Sequence, residues 1–340
     1  MRLLHHFATH TAATLSDHPE AQIIWRTSVV ECSFRHPFLL QGILAVAALH
    51  TATSNPQEED RLSMMAASKQ NTALKEFRTQ LQQITPKNCD ALFAFSFLAG
   101  YYVPASAGTV INPSASFLKE DLFNAMVYWL RLCRGTSSIY QYAKEWIKQG
   151  PLANLFWTNQ YSDKDRSSEV RDDYSLHTPY EQRLSDLETM CNQLSGREEV
   201  ASETVVEERE LNTHALKIFL RLFCCLNTLA SKKPRSTFPD ADMPSKPNSV
   251  NSTGKSPSDL TLSLAWLFEI PLGFIDLLEQ QRPVSLVIFA HFAILLLHAP
   301  QFWWNEPIAR KIVKTVNDSL APRYHRLIQW PIHEVLQRSH

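Results

Sequence analysis

The sequence predicts an all-α protein with a layer of apolar helices at its centre, and three observations lead to that prediction. First, only 8 of the 340 residues are glycine, against about 24 at the usual share of roughly 7 %. Folds with many tight hairpins or with phosphate-binding loops need glycine at defined positions. Second, long apolar runs begin directly after proline, which suits the first turn of a helix. Third, apolar residues elsewhere recur every three or four positions, as on one helix face.

Two prolines introduce the main helices predicted in the first hundred residues. Pro37 opens a run to Leu49 that is apolar nearly all round, so we expect this helix to be central. Pro56 precedes an amphipathic helix that reaches about Ile84. Asn88 can cap the helix that follows, because its side chain can accept a bond from the first helical N–H groups.

Further helices are predicted along the rest of the chain, interrupted by one polar loop. They cover 117–134, 138–149, 179–194, 207–230, 260–278, 284–298 and 306–320. Five prolines among serine, asparagine and lysine mark 231–259 as a flexible surface loop. Its segment Lys232-Lys233-Pro234-Arg235 is either a weak nuclear-import signal or, as we favour, a solvated basic stretch. We therefore predict one helical domain in two parts, 1–230 and 260–340, joined by that loop.

Composition excludes several classes of protein. With 33 basic and 34 acidic residues the net charge is −1, which argues against unaided nucleic-acid binding, because phosphate neutralisation needs a basic excess. The six cysteines form no Cys-x-x-Cys, so neither a disulfide framework nor a cysteine zinc site is expected. The longest apolar stretch, 284–297, falls short of the roughly 20 residues of a bilayer span. We expect a soluble intracellular protein without a transmembrane segment or cofactor.

Three groups of residues could in principle carry chemistry. His6 and His10 have the spacing of two metal ligands on a helix, but the sequence shows no third ligand near them. His291 and His298 share a helix face, and we predict hydrogen-bonded core histidines. Asp172-Asp173 resembles half of a magnesium site for diphosphates, but without a third acid an exposed acidic loop is the better interpretation. We predict no metal site, no catalytic residues and no enzyme.

Aromatic residues are abundant in two of the predicted helical regions, around 93–102 and 289–304. Core packing is one interpretation. The other is an apolar pocket for a lipophilic ligand, since such pockets are lined by aromatic side chains with a few polar groups. Composition does not separate the two.

Several short blocks along the chain resemble a known family. They are Leu3-Leu4-His5-His6-Phe7, His36-Pro37-Phe38-Leu39-Leu40, Ala290-His291-Phe292, Trp303-Trp304 and Trp330-Pro331. Their order is similar to that in the C-terminal regulatory domain of fungal zinc-cluster transcription factors of the sterol uptake control type. The resemblance implies a dimeric, all-helical domain with a sterol pocket, held in the cytoplasm by its ligand and entering the nucleus when the ligand is lost. The six-cysteine zinc cluster of that family is absent from this sequence, so we expect no direct DNA binding.

The resemblance also implies where the pocket lies and what the protein does. The expected pocket residues are Phe93, Phe97, Tyr101, Trp129, Phe289, His291, Phe292, Trp303 and Trp304. The predicted function is a transcription regulator of fungal sterol or secondary metabolism that senses a sterol or another lipophilic molecule, as a homodimer found in nucleus and cytoplasm. The alternative is a stand-alone helical protein that binds or converts a hydrophobic, terpenoid or sterol-like metabolite.

Overall fold

The protein is all-α, as the sequence predicts. The structure is a computed structural model that describes residues 1–109, 119–155, 185, 187–189, 203–232, 259–300 and 302–337. Within those residues every regular element is a helix or a helical turn, and there is no β-strand. The acidic pair at 172–173, the basic segment from 233 to 235 and most of the loop at 231–259 lie outside the described residues.

Twelve helices, numbered in chain order, make up most of the described part of the chain. They are α1 Arg2–His6, α2 Pro19–Arg26, α3 Ser28–Ser33, α4 Pro37–Thr53, α5 Glu59–Leu81, α6 Cys89–Thr109, α7 Lys119–Ile147, α8 Glu203–Lys232, α9 Asp259–Glu269, α10 Leu272–Glu279, α11 Pro283–Leu296 and α12 Asn305–Ser319. A π-helical turn and a 3₁₀ turn continue α1 over Phe7–Thr14, and a 3₁₀ segment, a short α-turn and a π-helical turn close the described chain over Pro322–Gln337.

Helices α4, α6 and α11 form the buried centre, as their apolar sequences predict. Every residue of α11 from Val284 to Leu296 is buried. Helices α4 and α6 approach closely at Gly42, where a Cβ would lie 2.7 Å from the Phe95 ring. A side chain at this position would therefore push the two helices apart.

One unbroken helix, α7, covers Lys119–Ile147, and the prediction of two separate helices over 117–134 and 138–149 is wrong. Gly135 and Thr136 lie inside α7 without interrupting it. A glycine in a helix interior costs about 1 kcal/mol relative to alanine, whereas α7 buries Leu130, Cys133 and Tyr140 on either side of it. Burial of large apolar side chains outweighs that local preference.

Residues 260–278, predicted as one helical segment, are divided by Pro271 into α9 and α10. The two helices meet at 83°, because proline lacks the N–H that would continue the α9 hydrogen bonds. No single helix among the described residues is long and apolar enough to cross a bilayer; only the bent α9–α10 pair, taken together, has the required length and composition.

Candidate functional site

A cavity opens between α6, α7, α9 and the residue that precedes α12. Its enclosed part has a volume of about 20 Å³, which is room for one or two water molecules. With its open mouth included the empty space is about 320 Å³. Its wall is formed by Ser96, Phe97, Gly100, Tyr101, Pro104, Trp129, Cys133, Thr136, Leu264, Leu267, Phe268 and Trp304.

The α6 side of the cavity follows from a spacing of four residues. Phe93, Phe97 and Tyr101 share one face of α6, and the Phe93 and Phe97 rings meet edge to face with centroids 5.1 Å apart. Phe95, between them in sequence, points the other way and packs on Phe38 of α4. The alternating phenylalanines of this segment therefore lie on two different faces of α6.

Four polar side chains of the wall already donate a hydrogen bond to a backbone carbonyl. Ser96 Oγ donates to Phe93 O at 2.6 Å, and Thr136 Oγ1 donates to Leu132 O at 3.2 Å. The Tyr101 hydroxyl donates to Leu15 O, and the Trp129 indole donates to Gly100 O, both at 2.9 Å. Because these donors are used, this part of the wall favours hydrocarbon over a hydrogen-bonding ligand.

Burial keeps the ionisable groups of the wall neutral. It raises the pKa of the Cys133 thiol and of the Tyr101 phenol above their usual range. The wall therefore carries no negative charge from these two side chains at pH 7.

The structure places four of the nine expected pocket residues in this wall: Phe97, Tyr101, Trp129 and Trp304. Three others lie behind it. Phe93 packs against Phe97, and Phe292 contacts Trp129 and stacks on Trp266 with ring centroids 4.6 Å apart. Phe289 continues that stack. These three side chains support the wall from the core.

His291 lies in a different part of the core. Its Nδ1 is hydrogen-bonded to Val287 O at 2.8 Å, and its ring contacts Phe219 and Trp330. Complete burial lowers its pKa to about 4, so it is neutral in the folded protein at pH 7. His298 contacts Phe223 instead.

Trp303, the ninth expected residue, belongs to what we call the histidine cluster: His6, His10, His50 and Trp303. The His6 and His10 rings stack with centroids 4.9 Å apart, and His50 lies 5.1 Å from His6. Trp303 stacks on His50 at 5.4 Å with an interplanar angle of 21°. The cluster joins the N-terminal turn to α4 and to the segment before α12.

Hydrogen bonding in the histidine cluster is incomplete. Thr11 Oγ1 and His50 Nδ1 share a hydrogen bond of 3.0 Å. His6 Nε2 and Trp303 Nε1 are buried without a hydrogen-bond partner among the described residues. Burial, helped by the charges of His6 and His10, lowers the pKa of His50 to about 4.

The third histidine of the cluster was not found from the sequence, because His50 is far from His6 along the chain. Stacked rings direct their nitrogens past each other, and no group of three or more His, Cys, Asp or Glu in the described ranges is arranged to hold a metal ion.

The cavity-wall residues Leu264, Leu267 and Phe268 were also missed, since nothing in the sequence of an apolar helix shows which neighbour it will face.

Sequence comparisons find similarity to fungal transcription factors. Residues 2–116 match the family described as "Fungal specific transcription factor domain". A Zn(2)-C6 fungal-type transcription factor of Gibberella zeae is 23 % identical over 98 % of this chain and 61 % of its own length. The transcription factor afumD of Aspergillus fumigatus is 29 % identical over 46 % of this chain and 40 % of its own length.

A third relative is named for sterol uptake. Sterol uptake control protein 2 of Saccharomyces cerevisiae is 31 % identical over 41 % of this chain and 15 % of its own length. The chain thus spans less than two thirds of the length of each of these curated relatives. No solved structure matches. Residues 2–116 therefore resemble a fungal specific transcription factor domain, and nearly the whole chain is similar in sequence to a Zn(2)-C6 fungal-type transcription factor.

Proposed function

We propose that the chain is a ligand-sensing transcription regulator of fungal sterol or secondary metabolism, and that the cavity is its sensing site. The observation that carries the proposal is the composition of the wall. Helix α6 of the matched domain supplies one side, and α7, α9 and Trp304, which lie beyond the match, supply the rest. A ligand bound there contacts parts of the chain that are distant in sequence.

The small enclosed volume supports a regulatory role. A lipophilic molecule is far larger than the one or two waters that fit, so its binding requires the wall to move. A ligand that binds only an opened wall shifts the population of the two helix packings, and a regulator needs that kind of differential affinity.

We propose that the chain binds its ligand without converting it. Its relatives are transcription factors, and the polar donors in the wall are occupied by backbone carbonyls. General acid–base catalysis needs a titratable group that can reach the substrate. In addition we propose that the protein forms a homodimer and moves between cytoplasm and nucleus.

The ligand-binding role of the cavity can be tested with a substitution whose side chain fills it. Gly100 lines the wall, and a Cβ there would lie 3.6 Å from Cys133 Sγ, whereas Gly135 of α7 has open space around it. We expect ergosterol or farnesol to raise the melting temperature of the wild type and of Gly135→Val by several degrees. Gly100→Val, which occupies the cavity, should lose that shift.

Two results would change the proposal. If neither probe stabilises the wild type in thermal unfolding, the cavity does not sense a neutral sterol or isoprenoid alcohol. If mass spectrometry shows that the purified protein alters either probe, the protein is an enzyme of hydrophobic-metabolite conversion instead. Sedimentation velocity tests the homodimer, which a monomeric species at micromolar concentration would contradict.

A further inference from the structure

Two arginines one turn apart on α7 have opposite electrostatic surroundings. Arg131 is exposed and donates to two carboxylates of α10, Asp276 at 2.8 Å and Glu279 at 2.6 Å. Arg134 is half-buried and donates from Nη1 to the carbonyl oxygen of Phe268. Among the described residues no carboxylate forms an ion pair with Arg134, and its Nε is buried without a hydrogen-bond partner.

The nearest acid does not neutralise Arg134 fully. Glu269 interacts with it at longer range, but the Glu269 carboxylate is engaged in an ion pair with Arg221 of α8. Arg134, Arg221 and Glu269 together carry one excess positive charge, whereas the exposed group around Arg131, with its two carboxylates, carries one excess negative charge. Burial lowers the pKa of Arg134, and the charge of Glu269 offsets this only in part, so the surroundings of the guanidinium disfavour its charged form.

The Arg134 side chain does not itself form part of the cavity wall, but it is hydrogen-bonded to a residue that does. Its neighbours Cys133 and Thr136 on α7 are wall residues, and so is Phe268, whose carbonyl it holds. Ser137 Oγ donates to the same carbonyl at 3.2 Å. An apolar wall and a half-buried guanidinium, which forms no ion pair within the described residues, thus lie close together at the end of α9.

We propose that the cavity takes an amphipathic acid, with its hydrocarbon in the cavity and its carboxylate paired with Arg134. This inference rests on the proposed function, since it specifies the ligand class of the same cavity. A guanidinium binds a carboxylate through two parallel N–H donors, and such charge-assisted bonds are about twice as strong as neutral ones. Long-chain fatty acids and isoprenoid acids share this chemistry, and sterols without a carboxyl group lack it.

A matched pair of ligands tests the proposal. Decanoic acid and 1-decanol have the same hydrocarbon and differ in the charged group at pH 7.5. We expect calorimetry to show that the wild type binds the acid at least about tenfold more tightly than the alcohol. Arg134→Met should bring the acid to the affinity of the alcohol and leave the alcohol unchanged, whereas Arg131→Met should change neither. A parallel titration with farnesoic acid and farnesol distinguishes linear from isoprenoid ligands.

The outcomes separate this inference from the proposed function. If neither decanoic acid nor 1-decanol binds the wild type, and neither farnesol nor its acid does, the cavity is not a ligand site. If acid and alcohol bind equally, or if Arg134→Met weakens both equally, the cavity remains a ligand site and the proposed preference for the acid is wrong.

Arg134 also caps the last turn of α9, so urea unfolding of Arg134→Met and Arg134→Lys must first show a folded protein. Arg134→Lys, which keeps the charge, should retain part of the preference for the acid.

Discussion

Trp303 and Trp304 are adjacent in sequence but belong to two regions built on different principles. Trp304 is 1 % exposed and closes the cavity against Tyr101, with ring centroids 5.2 Å apart. Trp303 is partly exposed and stacks on His50 in the histidine cluster. The cavity wall is apolar and its four paired donors are satisfied, whereas the cluster buries polar atoms that have no partner.

This difference between the cavity wall and the histidine cluster indicates which interactions stabilise each region. The wall depends on apolar burial, which varies little with pH. The cluster depends on His50, whose low pKa keeps it neutral at pH 7, so the contribution of the cluster to stability depends on pH. Because the two rings contact each other with centroids 5.3 Å apart, movement of one region reaches the other through a single pair of side chains.

Replacing each tryptophan by alanine should give the largest effects on stability in this comparison of the cavity wall with the histidine cluster. Trp304→Ala should lower the free energy of unfolding by about 3–5 kcal/mol, as for other fully buried aromatic residues. Trp303→Ala should cost roughly half as much, because its ring is partly exposed. Urea unfolding at pH 7.5 measures both. Equal losses would show that the two positions are equally part of the core.

Acidification should affect the cluster through His50. Its pKa is lowered from 6.5 to about 4 in the folded protein, so folding disfavours its charged form. The stabilisation is complete above pH 6.5 and is lost as the pH falls through 6.5 toward 4. After allowance for partial exposure we expect a loss on the order of 1–2 kcal/mol.

The variant that checks this is His50→Phe. Between pH 7.5 and pH 4.5 its unfolding free energy should fall less than that of the wild type. Other groups contribute in both directions: His291 adds to the loss, and Asp90, whose pKa burial raises to about 6, opposes it. The comparison therefore uses the difference between variant and wild type, and identical pH profiles would contradict the role given to His50.

Two threonine substitutions provide the smallest and closest comparison. Thr136→Val in the cavity wall removes a bond to Leu132 O, a carbonyl that the helix already supplies with a donor, so we expect a change below about 0.5 kcal/mol. Thr11→Val leaves the partly buried His50 Nδ1 without its partner and should cost about 1–2 kcal/mol. Chemical unfolding of both variants at pH 7.5 is the measurement, and the reverse order would be evidence against the comparison.

The sequence was sufficient for the parts of the molecule that depend on local pattern. Proline followed by an apolar run predicted α4 and α11, and the spacing of four predicted the shared face of Phe97 and Tyr101. The sequence was insufficient where tertiary packing determines the structure. Continuity of α7 through Gly135 depends on burial along the whole helix, and the α9 side of the cavity depends on the turn at Pro271.

The same limit applied to the expected pocket. Trp303 and Trp304 were expected to act together, but neighbouring residues at the start of a helix point in different directions. His50 joins His6 only because α4 packs on the N-terminal turn. No charge pattern in the sequence distinguishes Arg134, since its lack of an ion pair among the described residues is visible only once the partners of Arg131 and Arg221 are known.

The most direct test of the account is a crystal structure with 10-bromodecanoic acid, whose bromine marks one end of the ligand by anomalous scattering. We predict a bromine peak in the cavity between Phe97, Tyr101 and Trp304, with the carboxylate hydrogen-bonded to the Arg134 guanidinium. The enclosed space should be larger than the 20 Å³ of the unliganded protein. A bromine peak elsewhere on the protein, with the cavity closed and unchanged, would contradict the claim that this cavity is the sensing site.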